Sequence, residues 1–313
     1  MTKLNKKFIY KILIIIVLVL CADFGSGKIL EKLYQSCKSG VCYQENYIMR
    51  KTNQDLLVFG SSRAAYHYIP SILKDTLGIS VYNCGREGTG IYYHYGVLLG
   101  TLNRYTPKVI FLDIDYRDIY EAKGIFGIEV LKEHAPFYHK ISPEFDSLLA
   151  LSGRKEQIKL QSNLYRYNSK AFKIITGNLS KGQDNVEGFR AKNGIWKNSI
   201  IPLKSSKLIL DHDKMTTLQK FINKTKEKNI NLVFTVSPYF MTTPKGIYDP
   251  LIKIAKENNI SILDYIQDKK FLSDKSLFND ELHLNERGAI LYSSYIASDA
   301  KKVLKNVSIK VMQ

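Results

Sequence analysis

Residues 55–63 read Asp55-Leu56-Leu57-Val58-Phe59-Gly60-Ser61-Ser62-Arg63. Four apolar residues in a row, closed by a glycine, make a short strand buried on both faces. Four further runs have the same character: Ile79–Asn83, Val109–Ile114, Leu232–Val236 and Ile260–Asp264. Helical spacing fills the intervals, over Ile69–Leu77 with Pro70 in its first turn, Tyr92–Asn103, Lys214–Lys228, Pro250–Asn258 and Ala289–Leu304. Strand and helix in alternation predict the α/β class, as a three-layer α/β/α sandwich around a roughly five-stranded parallel sheet.

Two stretches break that rhythm. Residues 121–210 carry His134, Pro136, Tyr138 and Trp196 but no strong strand signal, and are expected to be a mostly helical and loop insertion between the third and fourth strands. Residues 23–54 are polar and mixed, with Gly25, Gly27 and Gly40, and read as a connector. The expected organisation is therefore 1–22 as a signal anchor or signal peptide, 23–54 as a connector, and 55–313 as one α/β domain with its insertion.

The first segment bears on compartment. Lys3, Lys6, Lys7 and Lys11 precede an apolar run from Ile12 to Ala22, with no acid before it. A basic start followed by an apolar stretch is an export signal, and the positive-inside rule keeps its start cytoplasmic and exports the rest. The uninterrupted run is shorter than a full span, though Phe8, Ile9 and Tyr10 extend it if Lys11 snorkels. An uncleaved single-pass anchor is the first expectation; a cleaved signal and a secreted product is the alternative. Cys37 and Cys42 would close a small disulfide loop in an oxidising compartment, and two free thiols remain the other reading.

Composition excludes more than it selects. The chain has 313 residues, 45% hydrophobic and 24% charged, which suits a packed globular domain rather than a disordered one. A formal net charge of +17 is compatible with an anionic partner. Its source is Lys scattered along the chain, with no compact basic block and no nucleic-acid motif, so nucleic acid is not an expected partner. His67, His94, His134, His139 and His212 lack metal-ligand spacing and read as surface or core histidines; neither metal nor cofactor is expected.

Chemistry-bearing residues follow the strands, where ligands of an open parallel sheet bind. Ser62 follows the first strand. Its hydroxyl would point into the crevice, and its own N–H would face a developing oxyanion, although a serine there is more commonly a cap. Near the C-terminus, Asp280 stands three residues before His283, a spacing that lets the carboxylate orient an imidazole across a turn. Arg63 reads as a local packing or pairing residue, with contact to an anionic substrate as the other use.

Together, Gly60-Ser61-Ser62 after the first strand and Asp280-x-x-His283 before the last helix resemble the SGNH/GDSL hydrolase superfamily over most of residues 55–304. Ser61 stands where that family has Asp, and Ser62 matches its nucleophile. The segment Val81-Tyr82-Asn83-Cys84-Gly85-Arg86-Glu87-Gly88 is similar to its second block, which implies an oxyanion-hole N–H at Gly88. The third block departs. The family's Asn donor position matches Asp115, and an ionised carboxylate accepts rather than donates. The GSS variant looks like members that act around cell-envelope polysaccharides, including those linked to O-acetylation and teichoic-acid alanylation.

The resemblance thus implies an SGNH, flavodoxin-like fold and a serine esterase or O-acyltransferase working on acylated, O-acetylated envelope carbohydrate. Ser62, Asp280 and His283 would be catalytic, with Ser62, Gly88 and Asp115 at the oxyanion hole. The departure at Asp115 leaves a second reading, an inactive fold of this type that binds a glycan or partner at the membrane. A flavodoxin-like phosphate binder is a third, but Gly85–Gly90 lacks a Walker-type Lys.

Overall fold

A computed structural model describes residues 3–122, 126–180, 187–197, 208–240 and 243–311. The five apolar runs form β1 (Leu56–Gly60), β2 (Val81–Asn83), β3 (Val109–Asp113), β4 (Asn231–Val236) and β5 (Ser261–Asp264). They pair in parallel in the order β2-β1-β3-β4-β5. Strand β2 is shorter than its apolar run, because Ser80 before it is held by Asp55, whose carboxylate accepts from the Ser80 hydroxyl at 2.9 Å. The central strands β1 and β3 are buried at every residue, as continuous apolar runs require.

From β1 the chain moves outward to β2, then returns to β3 on β1's other side. That reversal opens a crevice at the carboxyl ends of β1 and β3, the usual ligand position in such sheets.

The helices are α1 (Lys3–Gln35), α2 (Gly40–Arg50), α3 (Ser62–His67), α4 (Pro70–Leu77), α5 (Ile91–Leu102), α6 (Pro143–Ala150), α7 (Arg154–Lys159), α8 (Tyr165–Asn168), α9 (Ala171–Leu179), α10 (His212–Glu227), α11 (Asp249–Asn258), α12 (Lys269–Leu272) and α13 (Glu286–Val311). The chain divides into two compact units, residues 1–47 with 131–183, and residues 48–130 with 184–313.

The second unit holds the sheet. Helices α3, α4 and α13 cover one face, and α5 and α10 cover the other, which completes the three layers. Val58, Tyr68, Phe111, Phe271, Tyr292 and Ile296 pack on the first face. On the second, the Phe59 and Phe221 rings meet edge to face at 5.8 Å.

The first unit is helical. Its first helix does not stop at residue 22 but continues to Gln35. Glycine costs a helix about 1 kcal/mol relative to Ala, yet Gly27 has a use here, because a Cβ there would collide with Asn163. Asp23 accepts the backbone N–H groups of Asn163 at 2.8 Å and Leu164 at 3.2 Å. Within residues 23–54, expected as a connector, α1 continues to Gln35 and α2 follows, and a disulfide joins Cys37, in the turn between them, to Cys42 in α2, with Cα atoms 5.9 Å apart. Lys170 is buried and satisfied by Glu45 at 2.8 Å and Glu133 at 2.6 Å, as a buried cation requires.

From Phe8 to Leu20 the large apolar side chains of α1 are all exposed. Lys6–Gln35 is long and apolar enough to cross a membrane, a property shared with signal sequences.

The exit from β1 tests how tightly the second unit is built. Gly60 has φ +148°, and a Cβ there would lie 2.7 Å from Ala64 Cβ and 2.9 Å from Asp113 Cβ. Gly60→Ala is expected to destabilise the fold by about 1–3 kcal/mol, the cost of one strained backbone position. Urea unfolding followed by circular dichroism measures it, and an unchanged midpoint would refute the stated constraint.

Candidate active site

Ser62 opens α3 at the carboxyl end of β1. The turn is sharp because Gly60 tolerates its φ and because the Ser61 hydroxyl accepts the Ser62 N–H at 2.6 Å, capping the helix. The β2 exit is sewn to this turn by two backbone bonds, from Cys84 N to Val58 O at 2.8 Å and from Arg86 N to Gly60 O at 3.0 Å. Gly85 must be glycine, since a Cβ would strike the Ala64–Ala65 backbone of α3. Gly88 lies two residues beyond Arg86, in the left-handed region at φ 66°.

The turn before α13 supplies the other two groups. Asp280 Oδ1 accepts the backbone N–H groups of Leu282 and His283, both at 3.0 Å, so the three-residue spacing closes on itself. The same oxygen lies 2.7 Å from His283 Nδ1. His283 Nε2 lies 2.7 Å from Ser62 Oγ. A carboxylate accepts only, so Nδ1 carries the ring proton and Nε2 faces the serine hydroxyl as an acceptor. Burial pushes the Asp280 carboxyl up, but the hydrogen bond and charge of His283 and the Asn279 amide outweigh it and hold the group well below the usual carboxylate range.

Asp115 has a different part from the one its alignment suggested. Its carboxylate pairs with Arg117, Oδ1 to Nε at 2.7 Å and Oδ2 to Nη2 at 2.9 Å, and it caps the 3₁₀ turn Tyr116–Asp118. Burial acts to raise its pKa, but the Arg117 and Arg63 charges bring it down to about 2. An ionised acceptor engaged by Arg117 donates nothing to an oxyanion, so Asp115, placed at the oxyanion hole by its match to the family's Asn position, has a structural role here instead.

Arg63 is equally committed. Its guanidinium is buried, donates to the Ile114 carbonyl at 2.8 Å and the Ser237 carbonyl at 3.3 Å, and pairs with Asp113 at 3.2 Å. The Tyr239 ring lies 4.8 Å from its Cζ. Of its two readings, local packing is the one realised.

Several residues at this site gave no signal in the sequence. His67, at the other end of α3 from Ser62, accepts the Leu284 N–H through Nε2 at 2.9 Å. Burial, and then the neighbouring His283, push its imidazole well below the ordinary range, so it remains a neutral acceptor. Tyr66 meets the His283 ring edge to face at 5.4 Å. Asn279 donates to Asp280 Oδ2 at 2.9 Å. These side chains come from positions with no motif of their own. Among the described residues no His, Cys, Asp and Glu cluster could hold a metal.

No protein-family model matches this chain, and no curated protein matches it. Among solved structures, the chain is similar to a protein described as lipolytic, of the G-D-S-L family, from Desulfitobacterium hafniense DCB-2, with 10% identity, TM-score 0.38, and coverage of 79% of this chain and 99% of that one. It is similar to an acetyl xylan esterase, AlAXEase, at 13% identity and TM-score 0.40, covering 79% and 98% of the two chains. An acylhydrolase from Bacteroides fragilis NCTC 9343 matches at 11% identity and TM-score 0.40, covering 83% and 96%. Likenesses this distant assign no activity, which leaves the residue geometry as the ground for a functional reading.

The bond from Leu284 to His67 is open to direct test. His67→Phe leaves the buried Leu284 N–H without an acceptor, an expected loss of about 1–3 kcal/mol in unfolding free energy. Chemical denaturation reads it, and an unaltered unfolding free energy would show that the bond contributes nothing.

Proposed function

We propose that this chain is a serine-dependent esterase or O-acyltransferase whose substrate is an acylated, O-acetylated carbohydrate of the cell envelope. The observation that supports it is the continuous chain Ser62 Oγ, His283 Nε2, His283 Nδ1 and Asp280 Oδ1, with both links at 2.7 Å. A nucleophile and base in hydrogen-bond contact, with the base oriented by a carboxylate, is the arrangement that activates a serine.

Ser62 Oγ attacks the ester carbonyl as its proton passes to His283 Nε2. The resulting oxyanion is stabilised by the Ser62 and Gly88 N–H groups, with the Ser61 hydroxyl turning away from the Ser62 N–H about its own χ1. Asp115 is not among the donors. Collapse breaks the bond to the alcohol oxygen, which takes the proton from His283, and leaves the acyl group on Ser62. Attack by water regenerates the serine and releases the acid; attack by a sugar hydroxyl moves the acyl group to that sugar. Asp280 stabilises the imidazolium at both stages without itself becoming protonated.

Compartment and substrate rest on separate supports. The basic start, the exposed apolar length of α1 and the Cys37–Cys42 disulfide favour an exported domain on a single-pass anchor with a cytoplasmic N-terminus. The carbohydrate substrate rests on the resemblance of the GSS turn to envelope-associated members of the SGNH/GDSL superfamily.

Turnover of 4-nitrophenyl acetate by the full-length chain in detergent tests the chemistry. Ser62→Ala should lower kcat on the order of 10⁴-fold or more, and Asp280→Asn about 10²–10⁴-fold, through loss of the correct imidazole tautomer. A fluorophosphonate should label the wild type and not Ser62→Ala. Equal turnover by wild type and Ser62→Ala, with no labelling, would leave the membrane-bound, non-catalytic binding protein as the reading.

A further inference from the structure

Residues 187–197, a turn at Glu187–Gly188 followed by a run without helix, form a strap along the turn that carries Asp280 and His283. Asn83 N donates to Glu187 O at 2.9 Å, Arg190 N to Ala65 O at 3.1 Å and Glu286 N to Lys192 O at 2.8 Å. Further along, Gly194 N donates to Asn279 Oδ1 at 3.0 Å, Asn285 Nδ2 to Gly194 O at 3.0 Å, and Trp196 N to Phe278 O at 2.8 Å. The partners come from the β2 exit, the helix behind Ser62 and both sides of the Asp280–His283 turn. A segment held at this many points presents its side chains in fixed positions.

Two of those side chains are cations, and both lie over Tyr66, the ring that abuts His283. Arg190 Cζ is 5.2 Å and Lys192 Nζ 4.4 Å from its centroid. Their charges are handled differently. Arg190 pairs with Glu87 at 2.8 Å, so that charge is cancelled locally. Lys192 is partly buried and makes no ion pair among the described residues. Two nearby acids are engaged elsewhere, Glu87 by Arg190 and Asp280 by His283 and Asn279, and the exposed Glu286 makes no ion pair with Lys192 among the described residues. Lys192 is thus a pre-positioned positive charge, steadied by an aromatic face, one ring away from the base.

We infer that Lys192 on Tyr66 recognises an anion carried by the substrate, a carboxylate or phosphate on the alcohol side of the ester that reaches Ser62. The alcohol side follows from position: His283 must hand its proton to the departing oxygen, so the group bearing that oxygen lies on the His283 side, where Lys192 stands. The substrate class narrows from an acylated carbohydrate to an acidic one. This rests on the Ser62 reading above.

The test compares kcat/KM for 4-acetoxybenzoate and 4-acetoxyphenyl phosphate with that for the neutral methyl 4-acetoxybenzoate, using the full-length chain in detergent. Wild type should favour at least one anionic ester by roughly fivefold, the worth of a single partly exposed charge pair. The preference should shrink between about 50 and about 500 mM NaCl as the charge is screened. Lys192→Gln should collapse the ratio toward unity, while Lys192→Arg should keep it, which separates charge from folding. Which anion is favoured tells a carboxylate-bearing from a phosphate-bearing substrate. Ser62-dependent hydrolysis without anion preference, or a preference that survives in Lys192→Gln, overturns the inference and leaves the esterase reading intact; no Ser62-dependent hydrolysis of any ester overturns both.

Discussion

The buried guanidinium of Arg63 is the constraint on which the crevice depends. It sits one residue beyond Ser62 and gathers the carboxyl ends of β3 and β4: Asp113 at the end of β3, the Ile114 carbonyl just past it, and the Ser237 carbonyl past β4. A cation buried this deeply depends on these partners, and removing one partner of such a pair typically costs about 3–5 kcal/mol. Asp113 is bound in turn from behind, where the Tyr68 hydroxyl donates to it at 2.5 Å and contacts Thr235 and Tyr292. The nucleophile's helix is therefore fastened to the sheet edge through buried polar bonds.

That fastening explains how distant segments meet. A parallel sheet sends every strand's carboxyl end to the same edge, so the residues after β1, β2, β3 and β4 converge although scores of positions separate them. Helix α3 uses both of its ends. Ser62 contacts His283 at the first, and His67 holds the next residue's N–H at the second. The base is thus bracketed by a six-residue helix whose own position is set by Arg63 and by the close approach of Gly85.

Legibility in the sequence followed the range of the interaction. Strands appeared as apolar runs because burial on both faces leaves few other residue types, and the Asp280–His283 pair appeared because its bond closes within one turn. Helix α1 was read only as far as its apolar run, since the contacts that continue it are made with Asn163 and Leu164, far along the chain. Asp115 was aligned by position to a donor, whereas Arg117 and the 3₁₀ turn make it an acceptor and a cap. The strap of residues 187–197 had no periodicity to announce it, because its order comes from hydrogen bonds to other segments.

By itself, then, the sequence determined the α/β alternation, the parallel strands, the apolar N-terminal helix and the candidates Ser62, Asp280 and His283, all consequences of local pattern or short spacing. Only the tertiary structure decided that Ser62 and His283, 221 residues apart, lie within hydrogen-bond reach. It alone decided that Arg63 is buried rather than offered to a ligand, and that Lys192, with no ion pair among the described residues, stands over the ring beside the base. The physical reason is the same in each case: a side chain's charge state and partners are set by the groups that folding brings around it, and those groups lie outside any window of sequence that contains it.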